Sequence, residues 1–206
     1  MCFSAQASFI AGTSLSLFGL TVLRSSNKQS MYIRAIPLMF GIQQLFEGLV
    51  WITQGNSNYT QYTMIGSYGF LFFAFFAWPI WTPFALYKYE TDAKRKKILF
   101  GLMMAGAVVA TLLAWGVLSL GVTSAISCSH IKYSVNWPQT FELPLTMWYC
   151  LATVGSLFVM KKRMFYVIGL VGILSIGVSA IAYYQWFTSV WCFFAALLSF
   201  AIYRVK

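Results

Sequence analysis

Glu47 lies in the segment FGIQQLFEGLVW, Phe40 to Trp51, inside a stretch apolar enough to cross a bilayer. A carboxylate at membrane depth is costly unless it is paired, protonated or hydrated, and by default it marks an ion, proton or ligand site. Gln43 lies one helical turn to one side of it and Trp51 one turn to the other, so all three share a face. Gln44 adds a second amide to the segment. Ser189 stands about one turn into the last apolar segment and is expected to reach the same level. Gln43, Gln44, Glu47, Trp51 and Ser189 are therefore the candidate ligand-binding residues. The competing reading is a buried hydrogen-bond knot that fixes how the helices pack.

A second chemistry is available at the same level. Cysteine, histidine and carboxylate are the ligand types of zinc. Cys2, Glu47, His130 and Cys192 supply them, and would hold zinc or another divalent metal if the fold gathered them. No paired-ligand spacing such as C-x-x-C or H-x-x-x-H supports that set. The alternatives are a Cys2–Cys128 disulfide on an oxidising face and Cys192 as a small core residue. Removal of Met1 would also make Cys2 an N-terminal nucleophile, its own amine serving as base.

These residues need a membrane scaffold to position them. The chain has 206 residues, 60% hydrophobic and 9% charged, with a mean hydropathy of +0.73. Soluble domains carry about 25% charged residues. Seven segments reach the ~20 residues that a helix needs to span the hydrocarbon core: 5–23, 34–53, 62–87, 97–120, 141–160, 164–185 and 187–203. The reading is an all-α integral membrane bundle of seven transmembrane helices, one domain over 1–206. The start, MCFSAQ, has no positive region before its apolar run, so the first segment is expected to stay as a helix.

The basic residues set the orientation. Of fourteen, thirteen fall in alternate connections and the C-terminal tail, and only Lys132 falls on the other side. Cytoplasmic loops carry the excess of Lys and Arg, which gives an outside N-terminus and a cytoplasmic C-terminus. The formal charge of +10 thus reports topology, and nucleic acid is excluded as a partner. Within the third span, AWPIWTPF places Pro79 and Pro83 one turn apart, where the helix should kink or unwind. The long connection after the fourth span contains HIKYSVNW, in which Ile131, Tyr133, Val135 and Trp137 alternate with polar residues as in a strand. It is expected to cap the bundle.

MCFSAQASFIAG, FGIQQLFEGLVW, WPIWTP and SVWCFFAALLSF together resemble a family of small, mostly bacterial, functionally uncharacterised multi-pass membrane proteins with an N-terminal MCFSAxASF motif. The resemblance implies an integral membrane protein, expected in the bacterial inner membrane, and draws attention to Cys2, Glu47 and Cys192. Three functions follow as expectations. One is binding or transport of a small solute, cation or proton in a polar outer-half cavity around Glu47. The second is a metal- or thiol-dependent hydrolase at the outer leaflet. The third is a structural subunit whose polar stripe meets a membrane-complex partner or another copy of the chain.

Overall fold

A computed structural model of the chain describes residues 4–25 and 27–204. Its long helices are α1 (Ala5–Arg24), α2 (Met31–Thr53), α3 (Ser57–Tyr89), α4 (Ala93–Leu120), α6 (Arg163–Ala182) and α7 (Tyr184–Tyr203). Among the described residues these six are long and apolar enough to cross a membrane. The expected span 141–160 is also helical, as α5 (Gln139–Cys150) continuing into the π-helical stretch Leu151–Gly155. It falls outside that group of six. Glu142, Pro144, Thr146 and Thr153 interrupt its apolar run.

The helices are built inside out relative to a soluble bundle. Leu118, Leu143, Leu174 and Ile181 point outward, the last 89% exposed, while Ser67, Ser156, Ser175, Ser179 and Ser189 are buried. Lipid favours this arrangement, because polar groups find no partner in the hydrocarbon and must be satisfied inside the bundle. Small residues let the backbones approach. A Cβ at Gly41 of α2 would lie 2.4 Å from Ser16 Oγ of α1, so only glycine fits that crossing.

Prolines shape α3 as expected, but the irregular turn comes before them. Phe72–Ala77 is π-helical, and Trp78 N–H bonds Phe73 O in the i→i+5 register. In that register the next pair would be Ala74 O and Pro79 N, and proline has no N–H to give. The Tyr149 hydroxyl of α5 donates to Ala74 O instead, at 2.6 Å. Pro83 likewise leaves Pro79 O without its helical donor. α4 closes on that carbonyl at Gly106, where a Cβ would be only 1.8 Å from it.

The expected cap is a β-hairpin. β1 (Val122–Ser127) pairs antiparallel with β2 (His130–Val135), from Val122 opposite Val135 to Ser127 opposite His130. Cys128 and Ser129 form the two-residue turn with φ of 49° and 60°, the left-handed pair that matches strand twist. Tyr133 stacks on Phe70 at 4.8 Å. Val122, Tyr133 and Val135 pack on a cluster that includes Leu71, Val117 and Cys192. Gln54 Nε2 donates to Ser124 O (3.0 Å) and Ser67 Oγ to Ser124 Oγ (3.1 Å). Trp186 Nε1 donates to Ser127 Oγ (2.9 Å). The hairpin thus ties α2, α3 and α7 together at one end of the bundle.

The opposite, basic end is tied by polar side chains. Buried Arg34 donates to Ser25 O (2.8 Å) and Val22 O (3.2 Å), closing the C-terminus of α1. Gln29 Nε2 donates to Tyr89 O (2.8 Å) and Lys162 Nζ to the Tyr89 hydroxyl. Glu90 accepts from the Thr91 and Asp92 N–H groups and pairs with Arg95 at 3.0 Å. Burial works against the Glu90 charge, but those N–H groups and the Arg95 guanidinium outweigh it. The carboxyl is held below its ordinary range.

Candidate functional site

α2 carries the site because its middle turns are enclosed on opposite sides by α1 and α3, with α7 alongside. Gln43 and Gln44 project about 100° apart on the helix, yet both are fully buried, and Glu47 is 1% exposed. The polar stripe is therefore interior to the bundle, as its position in an apolar helix requires.

α7 supplies the partner of Glu47. Ser189 lies in the first α-helical turn after the 3-10 segment Tyr184–Trp186, and its hydroxyl donates to Glu47 Oε1 at 2.5 Å. One turn further on, the Cys192 thiol lies beside the Gln43 amide. α3 contributes Trp78, whose indole Nε1 donates to Gln43 Oε1 at 2.7 Å and whose ring stacks on Phe40 at 3.9 Å. The hairpin contributes Tyr133, within electrostatic reach of Glu47 and Cys192. Burial, then these two neighbours, raise the Tyr133 pKa well above 10.0, so it stays a neutral phenol.

Half of this cluster's polar atoms find no hydrogen-bond partner among the described residues. Glu47 Oε2, both polar atoms of Gln44, Gln43 Nε2 and the Tyr133 hydroxyl are buried without one. Gln44 nonetheless lies beside the Glu47 carboxylate. Native interiors satisfy the great majority of buried polar atoms, so several orphans on three neighbouring side chains of one helix and a tyrosine above it are unusual.

Of the residues expected here, Gln43, Gln44, Glu47 and Ser189 come together. Trp51 is half-buried one turn nearer the hairpin. The metal set is not gathered among the described residues, where no three His, Cys, Asp or Glu side chains form a group able to hold an ion. Cys2 lies outside the described residues, as does its half of the disulfide alternative. His130 is engaged at the hairpin tip: Nδ1 lies 2.7 Å from Cys128 O, and the ring packs on Tyr183 and Trp186, both at 5.1 Å. Sequence reasoning overlooked Trp78 and Tyr133 as members of the site. The alternation of Ile131, Tyr133, Val135 and Trp137 pointed to a strand-like cap without saying which way Tyr133 faces.

Directly below, an apolar cleft of about 120 Å³ runs between the helices toward the basic end. Trp78 and Cys192 stand on its wall, with Phe40, Tyr149, Phe165 and Ile202 among the other lining residues. Both wall residues also touch the Gln43 amide, so the polar cluster and the cleft share a boundary.

No curated protein and no solved structure shows significant similarity to the chain. Its sequence is matched over residues 1–206 by a family of unknown function, DUF6629, and the chain belongs to that family.

Proposed function

We propose that the protein spans the membrane seven times, N-terminus outside and C-terminus cytoplasmic, and binds a small polar solute, cation or proton at Glu47 for passage across the bilayer. α5 is the seventh span in this reading. With it, Lys161, Lys162 and Arg163 join the other basic connections on one side, as the bias of cytoplasmic loops requires. The hairpin then faces outside, in a bacterial inner membrane, and Glu47 lies in the outer half beneath it.

The observation that carries the reading is the set of buried polar atoms left unpaired around Glu47. Each unpaired buried group costs about 1–3 kcal/mol, and a structural knot would satisfy them internally. A ligand that engages Glu47 Oε2, Gln43 Nε2, Gln44 and Tyr133 accounts for all of them, and a proton accounts for Glu47 Oε2. Glu47 supplies the charge, Gln43 and Gln44 both donors and acceptors, and Ser189 holds one carboxylate oxygen in place. The irregular π turn of α3, next to Trp78, gives a place where a backbone can rearrange around the site.

The test is proton and monovalent-cation flux in vesicles reconstituted with the full chain and loaded with a pH-sensitive dye. Glu47→Gln is expected to reduce flux about tenfold or more, the equivalent of about 1.4 kcal/mol, with an unchanged melting profile. Equal flux from both proteins overturns the reading.

A further inference from the structure

The shared boundary between the polar cluster and the apolar cleft has a consequence for what enters. We propose that the occupant is a single-chain amphiphile, its hydrogen-bond-donating, neutral or cationic head at Glu47 and its apolar chain in the cleft below. The proposal rests on the reading of Glu47 as a ligand-binding group and adds the chemical class of the ligand.

Three observations carry it. The first is continuity. Trp78 and Cys192 are at once walls of the cleft and neighbours of Gln43, so a chain leaving the polar cluster past these two residues enters the cleft directly. The second is the character of the walls. Three of the hydroxyls on them turn back onto their own helices, Thr153 to Tyr149 O (2.8 Å), Ser175 to Gly172 O (2.8 Å) and Ser199 to Ala196 O (2.6 Å), and Tyr149 donates to Ala74 O of α3 (2.6 Å). What remains facing the space is apolar. At about 120 Å³ the cleft compares with a ~150 Å³ engineered apolar cavity that stays dry and accepts a benzene-sized guest. Along α7 the lining runs from Cys192 to Ile202, about 15 Å at about 1.5 Å per residue, a shape suited to a chain.

The third is charge. Among the described residues, neither the polar cluster nor the cleft wall contains a lysine, arginine or histidine, and the one carboxyl group there is that of Glu47. A carboxylate or phosphate head would meet a like charge in a low dielectric with nothing to neutralise it. An amine or alcohol instead offers donors to Glu47 Oε2 and Gln44 Oε1, and an alcohol oxygen also accepts from Gln43 Nε2, Gln44 Nε2 or the Tyr133 hydroxyl.

The experiment uses the full chain in phosphatidylcholine vesicles with three photoactivatable short-chain (about C6) probes, an amine, an alcohol and a carboxylic acid, each with a diazirine in the chain, matched to a cleft of benzene-sized volume. Cross-linked peptides are mapped by mass spectrometry. The amine and alcohol are expected to label cleft residues such as Leu157, Phe165 and Ile168 about tenfold more than the acid does. Gly172→Leu fills the cleft, since a Cβ there makes only ordinary contact with Val154 at 3.5 Å. That variant should remove the labelling at unchanged melting temperature. Ala195→Leu fills it from the opposite wall and serves if the first variant fails to fold. Equal labelling by all three probes, or labelling that neither filling variant reduces, overturns the proposal. Ethanolamine, the head without a chain, separates the two levels. Thermal stabilisation by ethanolamine that depends on Glu47, without chain labelling in the cleft, overturns the amphiphile and leaves the polar site standing. The absence of both effects overturns the amphiphile, and the polar site is then decided by the flux comparison between wild type and Glu47→Gln.

Discussion

Ser189 and Tyr133 test opposite sides of the Glu47 cluster. Removing the Ser189 hydroxyl strips Glu47 Oε1 of its donor and leaves another buried group unpaired. Ser189→Ala is therefore expected to cost about 1–3 kcal/mol, read by chemical unfolding in mild detergent. A change within a few tenths would mean that the bond contributes nothing. Tyr133 has no such partner to lose, because its hydroxyl is buried and unbonded among the described residues. Tyr133→Phe should leave the ligand-free protein as stable as before or slightly more so, while weakening ligand-dependent stabilisation. Loss of stability without ligand would show that the hydroxyl serves the fold. Much of this residue-scale picture was legible in sequence. An acid and two amides in an apolar helix have nowhere to go but inward, and Ser189 sat at the matching depth. Trp78 and Tyr133 were not legible as partners, because their contacts to Gln43, Glu47 and Cys192 span tens of residues and depend on the π turn and the hairpin register.

α3 is the element in which local chemistry and packing are most tightly linked. Two prolines remove two N–H groups; α5 answers one with the Tyr149 hydroxyl, and α4 packs Gly106 closely against the carbonyl freed by the other. Tyr149→Phe should cost about 1–3 kcal/mol, since it leaves Ala74 O buried and unpaired. Gly106→Ala drives a Cβ into the Pro79 carbonyl and should cost about as much or more by overpacking. Unfolding of both variants in detergent checks these values, and wild-type stability in either contradicts the account of α3. The sequence announced the disturbance through Pro79 and Pro83. It did not locate it, because an i→i+5 register that begins at Phe72 depends on the Tyr149 hydroxyl, 75 residues away, that takes up the freed Ala74 carbonyl. α5 shows the same limit in another form. Its apolar content reads as a span, but Glu142, Pro144 and its π-helical end set it apart from the six longer helices.

At the scale of the molecule the two ends differ in chemistry. The hairpin end is closed by amide, hydroxyl and indole hydrogen bonds, whereas the basic end relies on charged groups. Glu90 links the α3–α4 turn to Arg95, and its carboxyl is held below the ordinary value of 4.5. A depressed acid stabilises the fold above its unfolded pKa and loses that contribution as pH falls through the folded one. Acidification below the ordinary carboxylate range should therefore loosen the α3–α4 turn, seen as faster amide exchange at Thr91 and Asp92. Exchange there that does not change with pH would contradict it. Fold class, the cap and the buried stripe all followed from apolar run lengths, period-two alternation and the placement of charge. The cleft did not, since an interior space is a property of how five helices fail to close and no single segment records it.

The central claim is that the unpaired groups around Glu47 receive something other than protein. An experimental map of the full chain in lipid nanodiscs, sharp enough to show ordered solvent, tests this most directly. The account predicts non-protein density within hydrogen-bond distance of Glu47 Oε2, bridging to Gln44 or the Tyr133 hydroxyl. A map in which these side chains bond only to one another, closing the cluster with no density between them, would contradict it and return the stripe to a packing device.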